Sequence, residues 1–358
     1  MTSNEQVYPA DYADGRGRFL GLAGHAGFSV DSFVHPLHSG PAGEPLACDI
    51  AFRGSADARD LVMVVSGTHG VEGFLGSGCQ AALLQSALID TLPASSALLL
   101  VHAVNPYGFA WLRRTNEDNI DLNRNFVDHG REYPNPGYEE IHDWLVPAEW
   151  EGPVREAADA AIAHYIEERG PRAFQAALTG GQYTHPDGLF YGGRAPAWSN
   201  RIWRGILRRY CRRAERVVVI DLHSGLGPRG VGEAICVSDE DEYRRARALF
   251  GDDVTWTGNA GAVSSRVGGS LVHGAREELG GDRLTMIGLE YGTYPIPQTL
   301  EALRAETWIS ARGDPCSAHG RRLRRALRDA FYIDEPDWQQ AVLARFFSLM
   351  GRLVSQLN

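Results

Sequence analysis

Residues 61–73 read LVMVVSGTHGVEG. A short run of apolar residues bounded by glycine is the pattern of a strand buried on both faces. The next residues, Thr68 to Gly73, place a His and a Glu three apart in a glycine-rich turn at the strand's carboxyl end. Gly67, Gly70 and Gly73 permit a tight turn and a close approach of a ligand. Working outward, residues 97–104 (ALLLVHAV), 216–222 (RVVVIDL) and 284–291 (LTMIGLEY) repeat the buried-strand pattern. Strands are also expected near 28–35 and 46–53, with the turn-rich HSGPAGEP between them, and helices near 17–27, 74–89, 153–168, 299–306, 318–331 and 338–356. Continuous apolar strands alternating with helices predict an α/β fold with a mixed, mostly parallel central sheet covered by helices on both faces. Ligands of such sheets bind beyond the carboxyl ends of the strands. His69, His223 and Glu290 stand at those ends.

The chain has 358 residues, enough for two domains of roughly 150 residues but also normal for one large α/β domain. With no clean linker or repeat, it reads as a single domain, 1–358, interrupted at about 127–215 by a stretch rich in Pro, Trp and Tyr. The formal net charge of −10 argues against binding nucleic acid through bulk charge, and the Arg-rich run 321–328 reads as a solvated helix face. All 35 basic residues are Arg. The absence of Lys excludes Lys Schiff-base, Lys general-base and phosphate-loop chemistry. Five widely spaced Cys with no CxxC make neither a disulfide framework nor a Cys-ligated zinc site. The N-terminal stretch MTSNEQVYPADYADGRGRF lacks an apolar signal core, and no apolar run approaches the roughly 20 residues that span a bilayer. A reduced, cytoplasmic protein without a membrane partner is expected; the oligomeric state is open.

HxxE alone is weak, since it arises by chance. A third ligand from another strand end, His223 in Asp221-Leu222-His223-Ser224-Gly225, would complete two His and one carboxylate. That set leaves one position of a tetrahedral zinc for water, as catalytic zinc sites require. A serine hydrolase using Ser224 or Ser66 is disfavoured, because there is no G-x-S-x-G elbow. His25, His35 and His38 show no partnering pattern.

HGVE, NPYGFAWLRRT, DLNRNF, DLHSG and an apolar strand ending in Glu, in that order, resemble the zinc carboxypeptidase (M14-like) superfamily, with its succinylglutamate desuccinylase/aspartoacylase relatives. GGQYTHPDGLFYGG and GLEYGTYP resemble an uncharacterised bacterial branch of it, DUF2817. The resemblance covers roughly residues 46–295 and implies a zinc-dependent hydrolase with one zinc per chain, held by His69, Glu72 and His223. It makes Glu290 the catalytic carboxylate that takes a proton from the zinc-activated water and delivers it to the leaving nitrogen. Of the adjacent Arg113 and Arg114, Arg113 is favoured as the oxyanion stabiliser. Asn123 and Arg124 become the pair that binds a substrate's terminal carboxylate, and Asp121 the carboxylate that orients His69. Gly268-Gly269-Ser270-Leu271 is similar to the segment lining a side-chain pocket and would favour an apolar side chain, although a plain loop is the simpler reading. Tyr183, His185 and Tyr191 are candidates for the cleft wall, against a surface loop packed on its own aromatics, and Tyr294 has no firm role. The expected substrate is a small peptide, cleaved at its C-terminal amide bond; the alternative is an N-acyl amino acid, as for an aspartoacylase-like deacylase.

Overall fold

The computed structural model describes residues 7–258 and 268–358. Residues 1–6 of the polar N-terminal stretch lie outside them. Eight strands form one sheet: β1 (Ser29–Ser39), β2 (Pro45–Arg53), β3 (Asp60–Val65), β4 (Ser96–His102), β5 (Arg216–Arg229), β6 (Gly232–Cys236), β7 (Thr255–Trp256) and β8 (Leu284–Gly292), in the order β1-β2-β4-β3-β5-β8-β6-β7. The four central strands run parallel, while β1, β2 and β6 join antiparallel. The sheet is thus mixed with a parallel centre, as the unbroken apolar runs predict.

The helices are α1 (Tyr12–His25), α2 (Gly73–Leu84), α3 (Pro106–Ala110), α4 (Pro136–Leu145), α5 (Pro153–Arg169), α6 (Pro171–Thr179), α7 (Trp198–Tyr210), α8 (Glu240–Phe250), α9 (Leu271–Leu279), α10 (Ile296–Arg312), α11 (Ala318–Phe331) and α12 (Pro336–Leu357). Alternation along β3 shows why both faces need cover. Val62 and Val64 point to the side filled by α1, α2, α8 and α12. Leu61, Met63 and Val65 point to the side filled by α7 and α9, where Trp203, Ile206 and Leu207 pack. Successive side chains of a strand face opposite ways, so a strand between two helical layers must be apolar at every position. Each fully buried Val or Leu contributes about 1.5–3 kcal/mol.

Five helices, α3, α4, α6, α8 and α9, and the strands β6 and β7 are not among the sequence expectations, and α7 falls in the stretch read there as irregular. The apolar content of α7 is a narrow stripe, Trp203-Ile206-Leu207, in an Arg-rich background. In α9 a glycine interrupts LVHGAREEL. Within 127–215, α4, α5 and α6 gather a core of their own, with Tyr138, Ile141, Ile162, Phe174 and Phe190, that meets Leu300 and Leu303 of α10. All five cysteines are free: Cys48, Cys79, Cys211 and Cys236 are buried and Cys316 is exposed. Among the described residues no helix is long and apolar enough to cross a membrane.

Candidate metal centre

The central strands end side by side. In β5 and β8, His223 and Glu290 are register partners, so parallel pairing alone sets their backbones adjacent. After β3 the chain reverses at Gly67, whose φ of +64° favours glycine, and enters a single 3-10 turn, Gly70–Glu72. The turn folds Glu72 back under His69. A Cβ on Gly70 would stand 2.0 Å from the Gly108 carbonyl carbon of α3. The glycine therefore makes room for protein backbone, not for a ligand as its sequence context suggested.

The result is a buried cluster. His69 Nδ1 lies 2.9 Å from Glu72 Oε1, and His223 Nδ1 lies 2.8 Å from Glu72 Oε2. The ligand atoms of all three residues fall within 4.8 Å of one another. Each imidazole is held from behind through Nε2: His223 by Asp221 Oδ2 at 2.8 Å and His69 by Asp121 Oδ1 at 3.3 Å. On His223 the carboxylate at Nε2 fixes the tautomer that leaves Nδ1 free to bind a metal. Asp221 in turn accepts from Thr68 Oγ1 at 2.8 Å. Two nitrogens and one carboxylate on rigid strand ends, oriented from behind, fit a divalent ion of the zinc type. Asp221 was absent from the sequence candidates. Its signal was available: two residues before His223 on a strand, it shares that residue's face.

Glu290 is half-buried beside the cluster and accepts from the Leu226 N–H at 3.1 Å. Burial, then the nearby Glu72 carboxylate, pushes its pKa up to about 7. Glu72 itself is held well below the usual carboxylate range, because His69 and His223 outweigh its burial. Burial would lower His223, but Asp221 and Glu72 hold it well above its ordinary value.

The two adjacent arginines separate, and the choice of Arg113 is corrected. Arg113 turns away from the cluster: its Nε pairs with Glu306 at 2.7 Å and its Nη2 donates to Asn119 Oδ1 at 2.9 Å. Arg114 enters instead, with Nη2 2.8 Å from His69 Nε2, Nη1 3.3 Å from Glu72 and Nε 3.0 Å from Asp121. Neighbouring side chains on a non-helical chain project to opposite sides. Glu306, almost two hundred residues away in sequence, decides which of them faces the cluster. Asn123 and Arg124 reach the cavity wall. Asn123 Oδ1 accepts the Leu271 N–H at 3.0 Å, and its amide nitrogen lies 3.4 Å from His69. Arg124 is buried; among the described residues its guanidinium donates to the neutral carbonyls of Thr179 (2.6 and 3.1 Å) and Asn123 (2.9 Å).

These residues line a cavity of about 740 Å³. Ser270 and Leu271 line it: Ser270 ends the loop from Gly268 as the N-cap of α9, and Leu271 opens the helix. Tyr183, Tyr191 and His185 do not. Tyr183 donates to the Arg124 carbonyl, the Tyr191 carbonyl accepts from Asp121 N–H, and His185 meets Glu139. Phe190, not singled out in the sequence, lines the cavity in their place. Ser224 Oγ donates to the Phe331 carbonyl and Ser66 Oγ to Gln80, so neither is paired with an imidazole. A second group, His142, His185 and Asp187, also comes together. Its two rings stack at 3.8 Å and 21°, so their in-plane lone pairs run side by side instead of converging.

The sequence matches, over residues 8–345, a family described as a protein of unknown function, DUF2817. The chain belongs to the DUF2817 family. No curated protein matches this DUF2817 chain. Among solved structures it is similar to bovine thrombin-activatable fibrinolysis inhibitor in complex with tick carboxypeptidase inhibitor (12% identity, 98% of this chain and 99% of that chain, TM-score 0.48). It is also similar to carboxypeptidase A from Helicoverpa armigera (13% identity, 90% and 74%, TM-score 0.43). A third similar structure is a succinylglutamate desuccinylase/aspartoacylase family protein from Shewanella amazonensis (20% identity, 90% and 73%, TM-score 0.37).

Proposed function

We propose that this DUF2817 protein is a zinc-dependent hydrolase that cleaves the amide bond joining a carboxylate-bearing amino acid to the rest of a small substrate. The observation that carries the reading is the convergence of His69 Nδ1, His223 Nδ1 and the Glu72 carboxylate beside the half-buried Glu290. A zinc ion held by those three residues would supply Lewis acidity, acidifying water and polarising a carbonyl. Glu290, with a pKa near 7, is poised to take a proton from the attacking water and pass it to the leaving nitrogen. Arg114 offers a guanidinium to the oxygen on which charge develops. Arg124 is a buried cation whose hydrogen bonds reach only neutral carbonyls among the described residues, and a ligand carboxylate would complete it.

The experiment is metal analysis of wild type, His69→Ala and Glu290→Gln, with hydrolysis of short peptides and N-acyl amino acids. Wild type should carry about one zinc and His69→Ala none. Glu290→Gln should keep the metal and lose about 10²–10⁴-fold in kcat. A wild-type protein that takes up no divalent metal sinks the proposal. The leaving amino acid is common to a C-terminal peptide and to an N-acyl amino acid, and the rates on the two substrate sets would tell them apart.

A further inference from the structure

The cavity does not end at the cluster. It continues between α5 and α6 on one side and α10 on the other, along Ile162, Ile166, Phe174, Leu178, Leu300 and Leu303. These are hydrocarbon side chains, part of the separate core gathered by the 127–215 stretch. At the far rim, Arg155, Asp159, Glu301 and Arg304 also line the cavity, but they are spent on one another. Arg155 pairs with Asp159 at 2.8 Å and Glu301 at 2.6 Å, and Arg304 with Asp159 at 2.9 Å. Arg304 also donates to the Trp144 and Leu145 carbonyls. The wing therefore combines an apolar wall with a rim whose charges are already satisfied.

Phe190 marks the boundary. Its ring lies 5.3 Å from the guanidinium carbons of both Arg114 and Arg124, and the residue holds a φ of +52°. That region costs a bulky side chain on the order of 1–2 kcal/mol, so the surroundings hold Phe190 in place. On one side of it stand cations; on the other stands hydrocarbon.

We propose that the wing between α5, α6 and α10 binds a medium- to long-chain aliphatic acyl group, making the substrate an N-acyl amino acid with a hydrocarbon tail. The assignment rests on the hydrolase reading above and specifies its acyl side. Peptide main chain brings an N–H and a C=O with every residue, each of which must find a partner when buried. The wall is hydrocarbon but for Gln175 and the hydroxyls of Thr179 and Thr299, which already donate to the Gln175 and Ile296 carbonyls, so a peptide main chain would find few partners there. A hydrocarbon needs none, and each buried methylene strengthens binding about fourfold. Hydrolysis adds water across the amide. The acyl carbon gains the hydroxyl, the nitrogen gains the proton, and the products are a fatty carboxylate and a free amino acid.

The test uses the zinc-loaded enzyme with N-acetyl, N-octanoyl, N-dodecanoyl and N-hexadecanoyl forms of one apolar amino acid, and peptides ending in that amino acid. kcat/KM should rise at least about a hundredfold from acetyl to octanoyl. The longer acyl forms should exceed any peptide with an apolar penultimate residue. Ala163→Trp, an exposed position on the cavity wall, should flatten the dependence on chain length and leave N-acetyl turnover and the melting temperature unchanged. Calorimetry with dodecanoate gives a readout independent of turnover, and Ala163→Trp should weaken that binding at least tenfold. Equal rates for acetyl and octanoyl forms, or faster turnover of the peptides, overturn the acyl assignment while leaving the hydrolase standing. Dodecanoate binding that Ala163→Trp abolishes supports the wing even if no amide is cleaved, and that case would sink only the hydrolase reading.

Discussion

At the scale of single residues, the division of labour between Arg113 and Arg114 is the sharpest consequence of the structure. Arg113 ties its loop to α10 through a buried ion pair with Glu306, which Ser310 also supports at 2.6 Å. Removing one partner of a buried pair costs up to about 3–5 kcal/mol, and less here because Arg324 also lies 3.6 Å from Glu306. Arg113→Met is therefore expected to lower the denaturant midpoint strongly while the folded fraction keeps its kcat. Arg114→Met should do the reverse, cutting kcat by about 10²–10³-fold with a much smaller change in midpoint. Paired unfolding and kinetic measurements on both variants check this, and exchanged phenotypes would contradict the assignment. The sequence brought the reading as far as the adjacent pair and no further. Identical side chains side by side carry no mark of direction, and the deciding carboxylate comes from a helix far along the chain. His69, Glu72, His223 and Glu290 were legible because each closes a strand or its turn, where local pattern and position coincide.

Among the elements, the turn after β3 is the most tightly specified. Gly70 abuts α3, and a methyl group there would overlap the backbone at Gly108 and Phe109, at 2.0 and 2.3 Å. Neither side is a flexible side chain, so Gly70→Ala must push the turn away from α3 and take His69 and Glu72 with it. The expected outcome is a chain that still folds but binds zinc at least about tenfold more weakly, as for other losses of ligand orientation. Chelator competition measures it, and unchanged affinity would show that the turn can shift freely. The strands of the sheet centre were readable because a strand covered on both faces must be apolar throughout. Helices such as α7 and α9 were not, since each shows a narrow apolar stripe broken by arginine or glycine. The strand β7 has two residues and offers no period at all.

At the scale of the whole molecule, the buried imidazole of His102 couples the fold to acid. It lies at the end of β4, stacked on Phe19 at 4.7 Å and 3.0 Å from Ser77 Oγ. Burial pushes its pKa down to about 4, against the opposing pull of Asp49. Below the ordinary histidine value near 6.5, the unfolded chain takes up a proton that the folded chain refuses. Its contribution to stability is thus complete above about pH 6.5 and falls by up to about 1.4 kcal/mol per pH unit on the way to pH 4. His102→Phe should lose less stability than wild type between those limits, as urea unfolding at several pH values would show; parallel curves would contradict the reading. The cysteines offer a different view of the same fold. A thiol reagent meets one reactive site, Cys316, in the folded protein and five in the open chain. The hidden four sit in β2, in α2, just after α7 and in β6, so the order in which they become labelled maps which part of the molecule breathes first.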